Sequence, residues 1–189
     1  MRIGVLALQG AFAEHIIKLG ALGVDAFEIR SLRDLNERFD ALVLPGGEST
    51  AMRKLLVDLG LYAPLKKLIQ DGLPVLGTCA GMILLAKEIA GGEPPCFGTL
   101  DVTVRRNAYG RQLGSFRGRD RFADYEIETP FIRAPYIEKI GESATELSRR
   151  DGKITAVRQD AQLAVAFHPE LTDDPAVYRY FFDMIAERK

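Results

Sequence analysis

The chain is poor in soft metal-ligand chemistry, with two cysteines and two histidines among 189 residues. Cys79 and Cys96 form no Cys-x-x-Cys pair, and with His15 and His168 they cannot build a soft-ligand metal cluster. A free thiol in a reducing compartment is expected instead. An excess of charge of one sign is also missing. The 25 Lys and Arg against 26 Asp and Glu leave a formal net charge of -1, which gives no global pull toward nucleic acid or an anionic membrane. No apolar run approaches the roughly 20 residues of a membrane helix. The N-terminal Met1-Arg2-Ile3-Gly4-Val5-Leu6 runs into strand-like sequence without a signal-type cleavage region, so the expected location is the cytoplasm. Internal repeats, low-complexity tracts and domain linkers are lacking too. What remains is a chain of 47% hydrophobic residues, long enough for one sizeable core and read as one domain over residues 1–189.

Short apolar runs alternate with helical stretches in the first half. Strands are expected at residues 3–8, 26–29 and 41–44, and a fourth leads up to Gly77. Helices are expected at 11–19, from a cap at Ser49 or Thr50 to 59, at 64–70, and from Ala80 onward. This βα alternation predicts a parallel sheet covered on both faces. After Gly91-Gly92-Glu93-Pro94-Pro95 the segments shorten, with strands expected at 100–104, 125–128, 131–134, 154–157 and 163–167, some of them antiparallel. A last helix follows Asp174 as cap and Pro175 in its first turn. The expected fold is α/β: a single-domain, flavodoxin-like three-layer arrangement with a mostly parallel central sheet and some antiparallel strands in the C-terminal half.

The chain is organised around Leu73-Pro74-Val75-Leu76-Gly77-Thr78-Cys79-Ala80-Gly81, an apolar strand that turns into an apolar helix with a cysteine at the corner. Gly77 and Gly81 remove β-carbons where a sharp strand-to-helix turn would crowd, and such a turn pushes its central side chain out of the sheet. The N-terminus of the following helix faces the sulfur with free N–H groups, which can also hold an oxyanion. His168-Pro169-Glu170 ends another apolar strand, so a parallel sheet would deliver Cys79 and His168 to the same edge. The imidazole can then exchange a proton with the thiol, with Glu170 orienting the ring.

Pro45-Gly46-Gly47-Glu48-Ser49 follows the third strand and should reach the same rim. Its glycines let backbone approach a substrate carbonyl, so that the Gly47 N–H can join that of Ala80 in an oxyanion hole. Glu48 is read as positioning substrate through its backbone or supporting the loop. Arg106 and Arg133 stand out from a locally basic stretch, which continues through Arg111, Arg117, Arg119 and Arg121, as possible carboxylate clamps. The other arginines read as solvated or partner-facing surface. His15, with no carboxylate or cysteine at ligand spacing, reads as structural, though it and Gln9-Gly10 belong to a rim open to a docking partner. Cys96 has no elbow and reads as inert.

Taken in order, Leu8-Gln9-Gly10-Ala11 with Glu14-His15, Pro45 to Thr50, Gly77-Thr78-Cys79-Ala80-Gly81, Arg106 to Gln112, Phe131 to Pro135 and Phe167-His168-Pro169-Glu170-Leu171 resemble the triad-type (class I) glutamine amidotransferases. Within that group the chain is similar to the glutaminase subunits of pyridoxal 5′-phosphate synthases. The resemblance implies Cys79 as nucleophile with His168 and Glu170 completing a triad. It also implies glutamine contacts from Gly46, Gly47, Glu48, Arg106, Ile132 and Arg133, an oxyanion hole from Gly47 and Ala80, and no cofactor or metal. The implied partners are L-glutamine and a synthase subunit that takes up ammonia through an internal channel, docking near Gln9-Gly10 and Gly46-Gly47 to complete the oxyanion hole. Two departures stand against it: Tyr109 replaces a frequent phenylalanine, and residues 117–129 match weakly. A cysteine hydrolase or stress-response protein of the related Cys-elbow α/β group is the alternative enzyme reading. A non-catalytic binding module, which would tolerate loss of Cys79, His168 or Glu170, is the other.

Overall fold

In a computed structural model, residues 1–106 and 114–188 are described. The elements are β1 (Arg2–Leu6), α1 (Phe12–Ala21), β2 (Asp25–Ile29), β3 (Ala41–Leu44), α2 (Ser49–Asp58), α3 (Tyr62–Gln70), β4 (Val75–Thr78) and α4 (Ala80–Leu85). They continue as β5 (Ala86–Ile89), β6 (Leu100–Arg105), β7 (Ser115–Phe122), β8 (Tyr125–Ile132), β9 (Tyr136–Ile140), β10 (Thr145–Arg150), β11 (Lys153–Gln159), β12 (Gln162–Val165) and α5 (Ala176–Ala186). Short 3-10 turns lie at Leu32–Asn36 and Pro169–Leu171.

Five strands in the order β2-β1-β3-β4-β12 form the parallel centre. Every residue of β3, β4 and β12 is buried, as a strand covered on both faces requires. The crossover direction reverses between β1 and β3. Right-handed crossovers therefore put α1 on one face of the sheet and α2 and α3 on the other, which gives three layers. On its face α4 packs against β3, β4 and β12, with α2 against it. Across the sheet α5 meets α1 through the Tyr178 and His15 rings, 6.0 Å between centroids. The antiparallel pairings all lie from β6 onward, where β12-β11-β10-β7-β8 extends the sheet and β6 with β9 forms a side arm.

Several boundaries differ from the sequence reading, each for a local reason. The cap of α2 is Glu48 rather than Ser49 or Thr50, because its carboxylate accepts from Thr50 N at 3.0 Å and Ala51 N at 2.7 Å. The α3 helix starts before Pro64, which sits in a first turn where its missing N–H costs nothing. Pro175 takes the cap position of α5, while the Asp174 carboxylate accepts from Ala176 N at 2.9 Å. The two strands expected at 125–128 and 131–134 are one, β8, which passes through Pro130. Among the described residues it pairs only with β7, and an edge strand tolerates the absent N–H. Strands β5, β7, β9 and β10 were not expected, since each carries charged residues at many of its positions.

Candidate active site

Cys79 follows β4 and precedes α4 with φ 49° and ψ -102°, a conformation that side-chain-bearing residues rarely adopt. Two glycines make this corner possible. A β-carbon on Gly77 would lie 2.8 Å from Gly81 C, and one on Gly81 would lie 2.7 Å from Leu44 C, so strand, elbow and helix are in backbone contact. The Cys79 N–H donates to Val165 O at 2.8 Å, which ties the elbow to β12.

His168 leaves the end of β12, and its N–H donates to Pro130 O at 2.9 Å. A β-carbon on Gly46 would overlap His168 Cε1 and stand 3.4 Å from Cys79 Cβ. Both side chains therefore abut one α-carbon, the meeting across the rim that the strand ends predicted. His168 Nδ1 lies 2.6 Å from Glu170 Oε1. Burial alone would lower the His168 pKa. Hydrogen bonding to Cys79 and Glu170, with the electrostatic pull of both, outweighs it and pushes the value up to about 10. Burial opposes ionisation of Glu170, yet the His15 and His168 rings outweigh it and hold the carboxyl below its usual range.

Gly46 and Gly47 belong to the loop after β3, braced by the loop after β1. Ala11 N–H donates to Gly46 O at 2.9 Å, and Glu48 N–H donates to the Gln9 side chain at 2.7 Å. Gly10, at φ 92°, sits so close that a β-carbon would be 2.8 Å from Gly47 Cα. Around these residues is a cleft of about 560 Å³, lined among others by Gln9, Gly46, Gly47, Glu48, Cys79, Arg106, Ile132, Arg133 and His168. The Cys79 sulfur lies 4.0 Å from the Ile132 carbonyl oxygen. Arg106 reaches Glu48 at 3.2 Å and also pairs with Glu93, so one guanidinium joins the α2 cap to the cleft wall. Ala80 is buried as the first residue of α4, next to the sulfur.

The other expectations divide. Cys96 is buried and unpaired, and burial raises its pKa to about 11, which suits an inert thiol. Arg117 pairs with Glu128 at 2.6 Å and Arg121 with Asp124 at 3.6 Å. These two and Arg119 lie on the exposed side of the β7–β8 hairpin, away from the cleft lining. Asn107, Ala108, Tyr109, Gly110, Arg111 and Gln112 lie outside the described residues. His15 departs most from its reading. It is fully buried beneath the rim, and the carboxylate that spacing did not reveal is Glu170, 3.4 Å away. Thr78 and Tyr178, also unremarked in the sequence, lie 3.1 and 2.8 Å from its two ring nitrogens.

Among the described residues no group of three or more His, Cys, Asp or Glu side chains is placed to hold a metal ion, and no helix is long and apolar enough to cross a membrane. The arrangement supplies a thiol nucleophile, an oriented imidazole, and helix-start and loop amides around an open cleft, which suits acyl transfer from a small carbonyl substrate.

The model of the SNO glutamine amidotransferase family matches residues 5–187. The chain is 58% identical over 187 residues to the pyridoxal 5′-phosphate synthase subunit PdxT of Methanocorpusculum labreanum, covering 98% of each chain. It is 49% identical over 190 residues to the subunit of the same name from Desulfitobacterium hafniense strain Y51, covering 100% of this chain and 96% of that one. A crystal structure described as a glutamine amidotransferase superposes with a TM-score of 0.91 at 43% identity, over 97% of this chain and 98% of the other.

Proposed function

The chain belongs to the SNO glutamine amidotransferase family, and from that membership we propose that it is the glutaminase subunit of a pyridoxal 5′-phosphate synthase. It hydrolyses the side-chain amide of L-glutamine to L-glutamate and ammonia. The observation that carries the reading is the convergence of Cys79 and His168 on Gly46, with Glu170 2.6 Å behind the imidazole.

The chemistry follows from those positions. Cys79 attacks the amide carbon as thiolate, and the oxyanion that forms is held by backbone N–H groups of Gly47 and Ala80. A His168 ring that holds its proton to high pH supplies the acid the departing nitrogen needs. The C–N bond breaks, ammonia leaves, and a glutamyl thioester remains on Cys79. Neutral His168 then takes a proton from water, the resulting hydroxide attacks the thioester, and the C–S bond breaks to release glutamate. Glu48, Arg106, Ile132 and Arg133 surround the amino acid end of the substrate in the cleft. Free ammonia is protonated in bulk water, so the second partner is a synthase subunit docked at the Gln9-Gly10 and Gly46-Gly47 rim, which takes up the ammonia directly. Two unpaired cysteines agree with a cytoplasmic location.

The test mixes the purified protein with L-glutamine, with and without the synthase subunit, and follows glutamate release and pyridoxal 5′-phosphate formation. Glutamate release should rise with the synthase present, the cofactor should form only with both subunits, and Cys79→Ala should abolish both signals. A folded wild-type protein that releases no glutamate beside its synthase would sink the reading.

A further inference from the structure

The proposed triad uses one oxygen of Glu170 and leaves the other unexplained. Oε1 meets His168 Nδ1, whereas Oε2 is buried and, among the described residues, has no hydrogen bond of good geometry. A buried carboxylate oxygen without a donor is costly, so what faces it matters. His15 Nε2 faces it at 3.4 Å, with both side chains fully shielded from solvent. The same nitrogen is 3.1 Å from Thr78 Oγ1, on the residue before the nucleophile. The other ring nitrogen is 2.8 Å from the Tyr178 hydroxyl on α5.

We propose that His15 is a positioning residue for the triad: a neutral ring whose Nδ1 accepts from the Tyr178 hydroxyl and whose Nε2–H donates to Thr78 Oγ1 while its positive edge faces Glu170 Oε2 at 3.4 Å. This rests on the glutaminase reading. The tautomer follows from the neighbours, because a lone pair on Nε2 would point at a carboxylate oxygen, while a proton there is attracted to it. The charged and titratable groups around the ring are Glu170, His168, Glu14 and Tyr178. Burial lowers the His15 pKa despite the attraction of Glu170, which agrees with a neutral donor. Residues from α1, β4, α5 and the turn after β12 thus fix one carboxylate in place, and the carboxylate fixes His168.

The experiment compares wild type with His15→Leu, His15→Gln and Tyr178→Phe in complex with the synthase. It reads kcat and KM for glutamine from pH 5 to 10, the thermal midpoint, and the pH dependence of Cys79 alkylation by iodoacetamide in the folded protein, scored on the Cys79-containing peptide after digestion. His15→Leu should lower kcat about 10-fold or more with KM little changed, the loss expected when a buried acceptor is left without the N–H edge that faces it. Its acid limb should move to higher pH, because Glu170 ionises less readily without that edge. His15→Gln, whose amide N–H can reach the same place, should recover part of the loss, and Tyr178→Phe should fall between. Unchanged kcat and pH profile in His15→Leu, whatever its thermal midpoint, would overturn the proposal. So would equal losses in the Leu and Gln variants that follow the folded fraction. If His15→Leu does not fold, His15→Gln and Tyr178→Phe decide by the same profiles. If the wild type itself releases no glutamate, the glutaminase reading fails, and the alkylation profile still judges His15 by whether it shifts.

Discussion

Cys79, buried at the elbow, holds an unfavourable backbone conformation that brings its side chain against Gly46 beside His168, so function and stability should separate there. Cys79→Ala and Cys79→Gly are both expected to be inactive, but only glycine relaxes φ 49°, and Cys79→Gly should be more stable than Cys79→Ala by about 1–2 kcal/mol in denaturant unfolding. Equal stabilities would mean that the elbow stores no strain. Gly46→Ala tests the other wall. Its new methyl must displace the His168 ring, a side chain that can move at the expense of its bond to Glu170, so kcat/KM should fall at least about 100-fold while the thermal midpoint drops only moderately. At this scale the sequence was readable wherever a role was local. Cys79 between two glycines and His168 two positions from Glu170 announce themselves. His15 did not, because its partners Thr78 and Tyr178 are 63 and 163 positions away and no spacing rule spans that distance.

The strand-elbow-helix unit tolerates no such movement. A β-carbon on Gly81 would strike the Leu44 carbonyl group of β3, which is backbone and cannot turn aside. Gly81→Ala should therefore cost about 3 kcal/mol or more in urea unfolding or prevent folding outright, in contrast to Gly46→Ala. A folded Gly81→Ala protein of wild-type stability would show that α4 does not bear on β3 as described. Elements buried on both faces, such as β3, β4 and β12, were legible because an uninterrupted apolar run has few other uses. Strand β7 of the β7–β8 hairpin was not, for a physical reason. Its inner face is completed by a charged side chain, with Arg150 lying 5.2 Å over the Phe116 ring and 2.8 Å from Asp120 Oδ1. Gly118 leaves room for that guanidinium. Gly118 and Asp120, on the inner face between Phe116 and Phe122, accommodate that arginine from β10 and so erase the apolar alternation by which β7 would be recognised.

For the molecule as a whole, the buried network makes stability depend on pH from both sides. His168 has a folded pKa raised from 6.5 to about 10, so its contribution is fully present below 6.5 and is lost as pH rises through about 10. Glu170 is shifted down, so its contribution is present above its unfolded value and lost as pH falls. His15 is also shifted down, and its contribution is present above 6.5 and declines below it, where the unfolded ring takes up a proton that the buried ring resists. Stability should accordingly peak near neutrality. Other groups titrate at high pH too, so the alkaline limb must be isolated by difference. His168→Gln removes the alkaline contribution without removing His15, and its thermal midpoint should fall less than that of wild type between pH 7 and 10 while still falling below pH 6. Cys79→Ala, which takes away one of the two groups that raise the His168 pKa, should lie between them. Parallel midpoint curves for all three proteins would mean that the imidazole is not held charged by its neighbours, and the acid assigned to the departing ammonia would have to be sought elsewhere.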